Sequence, residues 1–203
     1  MNNNDKLTPR QLKAQETKKA LFASAITLFT EKGFDNVSID DIVQKAGTSK
    51  GTFYTHFKSK SQVIIEQFRQ MDEHYLQIAA QLRQYDSATA KLLAFTSKQL
   101  AFIKEKVGLD VLKVVYITQL TDSGEKFVVD ENRPLYKILR EIIIEGQKKG
   151  EFRDDLDPVE LTYMVTRCMR ASFFDWCVHN GSYDILADRE RFFSTFVVKG
   201  LQK

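Results

Sequence analysis

Apolar residues recur at the spacing of an α-helix along almost the whole chain. Two runs near the N-terminus place them at i, i+3, i+4 and i+7, which is the pattern of a helix with one apolar face. These runs are Phe22, Ala25, Ile26 and Phe29, followed by Ile39, Ile42, Val43 and Ala46. Because only three Pro and nine Gly interrupt the 203 residues, long turns and sheets have little support. The sequence therefore predicts an all-α protein of about nine helices.

Residues that start and end helices divide the chain into a small N-terminal unit and a larger body. Thr8 before Pro9 and Gln11 matches a capping box, and Ser38 stands at the start of a second, short helix. Gly47 is placed to end that helix. Further helices are predicted from Ser59 onward and then over residues 87–106, 109–121, 133–149, 158–179 and 188–201. We expect an N-terminal domain over residues 1–60 and a C-terminal domain over residues 61–203.

Charge and cysteine content restrict the class of protein. The net charge is +3, but residues 1–70 hold 11 Lys and Arg against 7 Asp and Glu, so the basic excess lies in the N-terminal third. Cys168 and Cys177 fall in one helical segment, about 13 Å apart along its axis, and are expected to be free thiols. The N-terminus lacks the apolar core of a signal peptide, and no apolar run is long enough for a membrane span. We expect a cytoplasmic protein without a membrane partner.

The segment Gly47–Phe57, GTSKGTFYTHF, is an unusual helix sequence. At 100° per residue, Phe53 and Phe57 point to one side, where they can pack on the first two helices. The opposite side carries Thr48, Gly51, Thr52 and Thr55, with Tyr54 at its margin. Two short helices joined by a turn that contains Gly are typical of a helix-turn-helix. Small hydroxyl side chains and a glycine would allow this helix to approach DNA closely.

The whole stretch from Thr17 to Lys60 closely resembles the DNA-binding domain of the TetR family of bacterial transcriptional regulators. The resemblance rests on matched positions without a gap: Ala25, Leu28-Phe29, Gly33-Phe34, Val37-Ser38-Ile39, Ile42-Val43, Ala46-Gly47, Ser49, Gly51-Thr52-Phe53-Tyr54, His56-Phe57 and Ser59-Lys60. By this resemblance DNA is contacted from the third helix and its flanks, by Lys50, Gly51, Thr52, Tyr54, Thr55 and His56. Lys60 would contact a phosphate, and Ser38 would touch the DNA backbone.

The resemblance also implies a C-terminal domain that binds a small molecule and forms a homodimer through its last two helices, so that two heads match a palindromic operator. The expected function is a ligand-responsive repressor that a mostly apolar molecule releases from DNA, although activation stays open. The residues proposed for the ligand pocket are Phe95, Phe102, Tyr116, Tyr136, Arg170, Phe173 and Trp176. Those proposed for the dimer interface are Leu161, Val165, Cys168, Phe192, Phe196 and Val197.

Other functions remain open on sequence alone. An enzyme is disfavoured, because the three histidines are scattered and no phosphate-binding loop, zinc motif or nucleophile motif is present. No cofactor or metal is predicted. A regulator that senses oxidants through Cys168 or Cys177 is an alternative, as is a helical interaction module that does not bind DNA.

Overall fold

The computed structural model describes residues 8–120 and 126–202, and both ranges are helical throughout with short connections. The helices are α1 (Pro9–Lys32), α2 (Ile39–Lys45), α3 (Lys50–His56), α4 (Lys60–Gln81), α5 (Ala88–Phe102), α6 (Leu109–Leu120), α7 (Pro134–Lys148), α8 (Pro158–Val178), α9 (Ile185–Phe192) and α10 (Val198–Leu201). Single 3₁₀ turns lie at Leu82–Gln84 and Phe127–Val129. A π-helical turn (Ile103–Val107) extends α5, and another (Phe193–Val197) joins α9 to α10. The prediction of an all-α fold is confirmed.

Side-chain caps fix the helix starts that the sequence indicated. The Thr8 hydroxyl accepts the Gln11 amide, and the Gln11 side chain accepts the Thr8 amide in return. Ser38 and Asp41 form the same reciprocal box at the start of α2. Each box satisfies two backbone donors that have no partner inside the helix. These local hydrogen bonds explain why the starts of α1 and α2 could be predicted.

The first three helices pack around one end of the buried core. Leu21, Ala25 and Phe29 of α1 are buried, as are Phe53 in α3 and Phe57 just after it. The core continues without interruption through the buried side of α4 into the rest of the molecule. Contacts of α1 with α6, besides those with α4, further join the two parts. The division at residue 60 stays a prediction, because the two parts share one buried core.

The body consists of α4 to α10, with α7 and α8 packed side by side and α5 against both α7 and α9. The Arg133 guanidinium donates to both carboxylate oxygens of Asp72 on α4, at 2.9 to 3.0 Å, which ties the start of α7 to α4. Glu151, in the turn after α7, accepts the amides of Ala88 and Thr89 at the start of α5. A carboxylate at a helix N-terminus stabilises it through hydrogen bonds and the helix dipole.

The predicted helix ends differ from the observed ones where a cap was overlooked. The last helix was expected from residue 188, but it begins at Ile185 because the Asp184 carboxylate accepts the Leu186 amide. The helix predicted over residues 87–106 is α-helical only to Phe102 and then widens into the π-helical turn. Residue 121, the predicted end of α6, lies outside the described residues.

Candidate functional site

Helix α3 presents one face to the core and the other to solvent, as its sequence predicted. Phe53 is fully buried and Phe57 is 1% exposed, and their ring centroids lie 5.6 Å apart. Tyr54, between them in sequence, is 55% exposed and meets the edge of Phe53. Tertiary packing of two aromatic rings, and not helix propensity, therefore holds this seven-residue helix in place.

A tight turn sets the angle between α2 and α3. Gly47 has φ +65°, a left-handed conformation that costs a side chain strain, and it directly follows the last turn of α2. The amide of Thr48 donates to the Val43 carbonyl at 2.9 Å, which is the wrapped helix end typical of glycine in this position. Thr48 itself is half-buried in the turn, at the edge of the exposed face.

Hydroxyl groups on α3 are largely engaged in local hydrogen bonds. Ser49 caps the helix by accepting the Thr52 amide, and the hydroxyls of Ser49 and Thr52 lie 2.9 Å apart. The Thr55 hydroxyl donates to the Gly51 carbonyl one turn earlier. Each hydroxyl keeps acceptor lone pairs and can rotate, so it can still meet a donor or a phosphate at short range.

Gly51 leaves space on the exposed face that the protein itself does not need. A Cβ built at this residue would meet only the Ser49 hydroxyl, at 3.8 Å, which is an ordinary contact. Gly51 also has helical backbone angles, because it is absent from the positive-φ glycines. Neither packing nor backbone strain therefore requires a glycine at this position.

Two lysines flank α3, and both already have a partner inside the protein. Lys50 Nζ lies 2.8 Å from the Asp40 carboxylate, and that hydrogen bond raises the pKa of Lys50. Lys60 Nζ donates to the Phe34 carbonyl at 2.7 Å and sits 4.7 Å from the Phe34 ring centroid. His56 is half-buried at the end of the helix. Lys60 thus fastens the start of α4 to the turn after α1, a role that the sequence did not indicate.

Ser38 lies at the start of α2, with its hydroxyl directed to the Asp41 carboxylate and its side chain exposed. The two hydrogen bonds from Ser38 lower the pKa of Asp41 and so favour its charged form. The predicted DNA contact of Ser38 would therefore have to form beside the Asp41 carboxylate, whose charge repels a phosphate.

In the body, a cavity of about 60 Å³ lies between α4, α6, α7 and α8. Of the residues predicted for the ligand pocket, Tyr116, Arg170 and Phe173 line it. The other four do not: Phe95 and Trp176 are buried elsewhere in the core, Phe102 stacks on His74, and the Tyr136 hydroxyl is bound by Arg170 and donates to Val128. The sequence could not distinguish pocket residues from core residues, because aromatic residues of both kinds recur at the spacing of an inner helix face.

A larger groove of about 430 Å³ lies between α5 and α9. Small residues on α5, among them Ala90, Ala94 and Ser97, leave room opposite Leu186 of α9 and Phe193 of the π-helical turn that follows it. The sequence did not indicate this groove. Its size is in the range of ordinary small-molecule sites.

Arg189 of α9, which the sequence did not single out, lies at the base of this groove with 2% of its surface exposed. Its guanidinium carbon is 4.7 Å from the ring centroids of both Phe173 and Phe193. Burial lowers the pKa of Arg189 to about 9, which still leaves it charged at neutral pH. The sequence contained one signal for its burial. Arg189 is four positions from both Ile185 and Phe193, so it falls within an apolar stripe of the helix.

The residues predicted for a dimer interface divide into buried and exposed groups. Leu161 and Val165 are each 1% exposed and Val197 is 6% exposed, so they belong to the core of the protomer, and this part of the prediction needs correction. Cys168 and Phe192 are half-buried, and Phe196 is 65% exposed. The apolar residues exposed on α8 are instead Met164, Phe174 and Val178. The apolar pattern of α8 covers more than one face, so the sequence did not tell which side meets the core.

The described part of the chain offers little support for the alternative functions. Burial raises the pKa of Cys168 and raises that of Cys177 to about 11, so both free thiols are protonated at neutral pH and poorly reactive. No group of three or more His, Cys, Asp or Glu side chains that could hold a metal ion occurs among the described residues. Within the same residues, no helix is both long and apolar enough to cross a bilayer.

Comparison with known proteins gives matches over nearly the whole chain. Residues 21–66 match the family described as bacterial regulatory proteins, tetR family, and residues 67–200 match the C-terminal region of YsiA-like proteins. The repressor KstR2 of Mycolicibacterium smegmatis is 32% identical over 155 residues, covering 72% of each chain. The fatty acid metabolism regulator protein of Bacillus subtilis is 22% identical over 165 residues, covering 81% of this chain and 85% of that one.

Solved structures share the fold. The transcriptional regulator FadR from Bacillus subtilis, in complex with stearoyl-CoA, superimposes with a TM-score of 0.74 at 22% identity, over 91% of this chain and 99% of that one. NalD of Pseudomonas aeruginosa, described as the secondary repressor of a multidrug efflux pump, gives a TM-score of 0.74 at 18% identity, over 95% and 98% of the two chains. Both cover the N-terminal three helices and the body together.

Proposed function

Because the chain belongs to the TetR family of bacterial regulatory proteins, we propose that it represses transcription by binding operator DNA with the exposed face of α3. The observation that carries this proposal is the character of that face. It combines an exposed Tyr54, short hydroxyl side chains and a glycine that the protein's own packing does not require. Such a face lets a helix lie deep in the major groove.

Within this face, Tyr54 and Lys50 are proposed to contribute most to affinity. Tyr54 projects its ring and hydroxyl into solvent, where it can reach a phosphate or a base edge. Lys50 is held by Asp40 in free protein, so DNA must replace that carboxylate with a phosphate or a guanine edge. Before DNA binds, Asp40 holds the Lys50 side chain in place, and Lys50 keeps its positive charge. The remaining contacts proposed are Ser38, Thr48, Thr52, Thr55, His56 and Lys60.

A homodimer is proposed as the DNA-binding form. Met164, Phe174 and Val178 lie on one side of α8, and Phe196 is exposed on the π-helical turn after α9. These are four of the ten large apolar side chains that are exposed in the described part of the chain, and clustered exposed apolar side chains are typical of a protein interface. Two copies joined by a two-fold axis would present two α3 helices to the halves of a palindromic operator.

A small-molecule effector with a mostly apolar body is proposed to bind in the C-terminal domain and to weaken DNA binding. The connection to the head is physical. Arg133 and Phe68 line the central cavity, Arg133 is bound to Asp72 of α4, and Phe68 belongs to α4 itself. Since α4 continues from the end of the head, a ligand that displaces these side chains would shift α4 and with it the head. We propose no enzymatic activity.

The test is a gel shift with the DNA immediately upstream of the gene for this protein, at two salt concentrations. We expect retarded DNA, with affinity falling steeply at the higher salt as phosphate contacts are lost. Lys50→Ala should weaken binding by about tenfold or more, since it removes a charged contact. Lys148→Ala, which removes the same charge from an exposed position on α7, serves as the control and should bind like wild type. Equal affinities for both variants would contradict the assignment of α3.

A further inference from the structure

Two buried arginines of the body differ in their hydrogen bonds and in whether a carboxylate balances their charge. Arg133, 7% exposed, donates to both oxygens of Asp72 and to the Phe127 carbonyl. Arg189, 2% exposed, makes one hydrogen bond, from Nη2 to the Gln99 side chain at 3.2 Å. Its Nε and Nη1 have no hydrogen-bond partner among the described residues, and no described carboxylate is among the charged groups that act on it. A buried cation normally requires a counter-ion, since its desolvation costs several kcal/mol.

The surroundings hold the guanidinium in a defined orientation. Phe173 and Phe193 each lie 4.7 Å from its central carbon, so that cation–π contacts offset part of the lost hydration. Gln99 is itself fixed, because its amide donates to the Tyr75 hydroxyl. These rings offer the remaining N–H groups no oxygen or nitrogen acceptor. The arginine is thus prepositioned, with its charge uncompensated and two of its donor atoms free of protein acceptors.

The groove between α5 and α9 borders Arg189, but the unpaired Nε and Nη1 are buried beneath its wall, so a ligand would reach them by displacing part of that wall. Arg189 forms part of its wall, together with Ala94, Leu100, Leu186 and Phe193. The space beside these side chains amounts to about 430 Å³, which an acyl or ring system of moderate size would fill. An apolar wall with a single buried cation selects for a ligand that is apolar over most of its length and anionic at one end.

We propose that this groove binds a small amphipathic monocarboxylate, whose carboxylate pairs with Arg189 and whose apolar part lies between α5 and α9. A carboxylate fits the geometry, because its two oxygens can accept parallel N–H groups of one guanidinium. A phosphate dianion fits less well, since one cation would neutralise half of its charge and Glu190 adds a negative charge to the wall. This proposal names the chemical class of the effector. It rests on the proposed function only in taking the ligand of this groove to be that effector.

The test uses octanoate and octan-1-ol, which have equal chain length and differ in charge. Titration calorimetry and thermal unfolding of the full chain, without DNA, should show that octanoate binds and raises the unfolding temperature. Octan-1-ol should have a much smaller effect. Arg189→Met should weaken octanoate binding by about tenfold or more, because it keeps the length of the side chain and removes the charge. The same variant should unfold at or above the wild-type temperature, since an unpaired buried charge is removed.

Two further variants separate this proposal from a purely structural role. Arg191→Met, at an exposed position of the same helix, should bind octanoate like wild type. Ala94→Leu should fill the groove and weaken octanoate binding while Arg189 is intact. The proposal is overturned if wild type does not bind octanoate, if the alcohol binds as well as the acid, or if Arg189→Met binds it normally. Should Arg189→Met not fold, unchanged binding by Ala94→Leu would be decisive against it. These binding experiments contain no DNA, so their failure would not affect the DNA-binding proposal, which the gel shift tests independently.

Discussion

At the scale of single residues, α3 departs from what a solvent-facing helix usually contains. Its exposed positions include Gly51, Thr55 and Tyr54 in place of the Glu, Lys and Gln that favour helix and solubility. The buried rings of Phe53 and Phe57 compensate for the weak propensity by fixing the helix to the head. The outer residues make only local contacts within α3, which is consistent with a surface shaped for a partner.

Gly51→Glu provides the sharpest test of this face. Glutamate favours helix over glycine, and a Cβ is accommodated without a clash, so the variant should fold and be at least as stable as wild type. Its charge and length should abolish the gel shift, because they oppose phosphate and hold the helix away from the groove. Thermal unfolding and the gel shift measure the two effects.

Gln70→Glu is the matched control for the added charge. It lies at an exposed position of α4, about 15 Å along the helix from Lys60, and should not change DNA binding. Gly51→Ala should raise stability by about 0.5–1 kcal/mol and weaken DNA binding less than the glutamate does. Full DNA binding by Gly51→Glu would show that another surface meets the DNA.

At the scale of elements, the turn after α7 depends on a glycine inside the helix. The amides of Glu151 and Phe152 both donate to the Gly146 carbonyl, at 2.9 and 3.1 Å, so the chain folds back over the end of α7. Phe152 is completely buried against it. The same turn delivers the Glu151 carboxylate to the start of α5, where it accepts two backbone amides. The close packing of Phe152 on Gly146 thus holds together α7, the turn and the start of α5.

Gly146→Ala should destabilise the body. A Cβ at this position would stand 2.1 Å from a ring carbon of Phe152, a distance that requires the ring or the helix to move. We expect a loss of about 1–3 kcal/mol in the free energy of unfolding, as for other overpacked cores. Urea unfolding measures it. Gly200→Ala is the control, because a Cβ there meets nothing within 4 Å, and it should leave stability equal or slightly higher. Equal stability of both variants would contradict the predicted overpacking.

At the scale of the whole molecule, α8 and the π-helical turn after α9 carry four exposed apolar side chains, although Leu120 at the end of α6 is exposed further, at 74%. Phe196 is 65% exposed, more than Phe174 at 48% or Met164 at 41%. Leu161 and Val165, which the sequence placed at the same interface, are covered by the protomer itself. The proposed dimer surface therefore draws on the outer side of α8 and on Phe196, and not on the inner stripe.

Phe196→Glu should shift the protein from dimer to monomer. The charge would be desolvated in an interface but is harmless on a free surface, so the effect depends on the presence of a partner. Sedimentation at micromolar concentration measures the mass of the particle. Leu76→Glu, at a side chain of α4 that is 54% exposed, is the control and should remain dimeric. A wild-type protein that sediments as a monomer, or a dimeric Phe196→Glu, would contradict the proposed interface.

The sequence by itself determined the helices of this protein, its family and the two sides of α3. These features are local: capping pairs such as Ser38 with Asp41, and the same-side spacing of Phe53 and Phe57, depend on residues close in the chain. The contacts of the DNA-binding residues with an operator stay predictions.

Only the tertiary structure decided which inner residues line a cavity and which fill the core. Tyr116 and Phe173 border open space, whereas Phe95 has the same kind of pattern and is fully enclosed. It also decided that Arg189 is buried without a counter-ion beside a groove of about 430 Å³. Periodicity shows that a helix has an apolar face, but the neighbour that covers each part of that face depends on how distant helices pack.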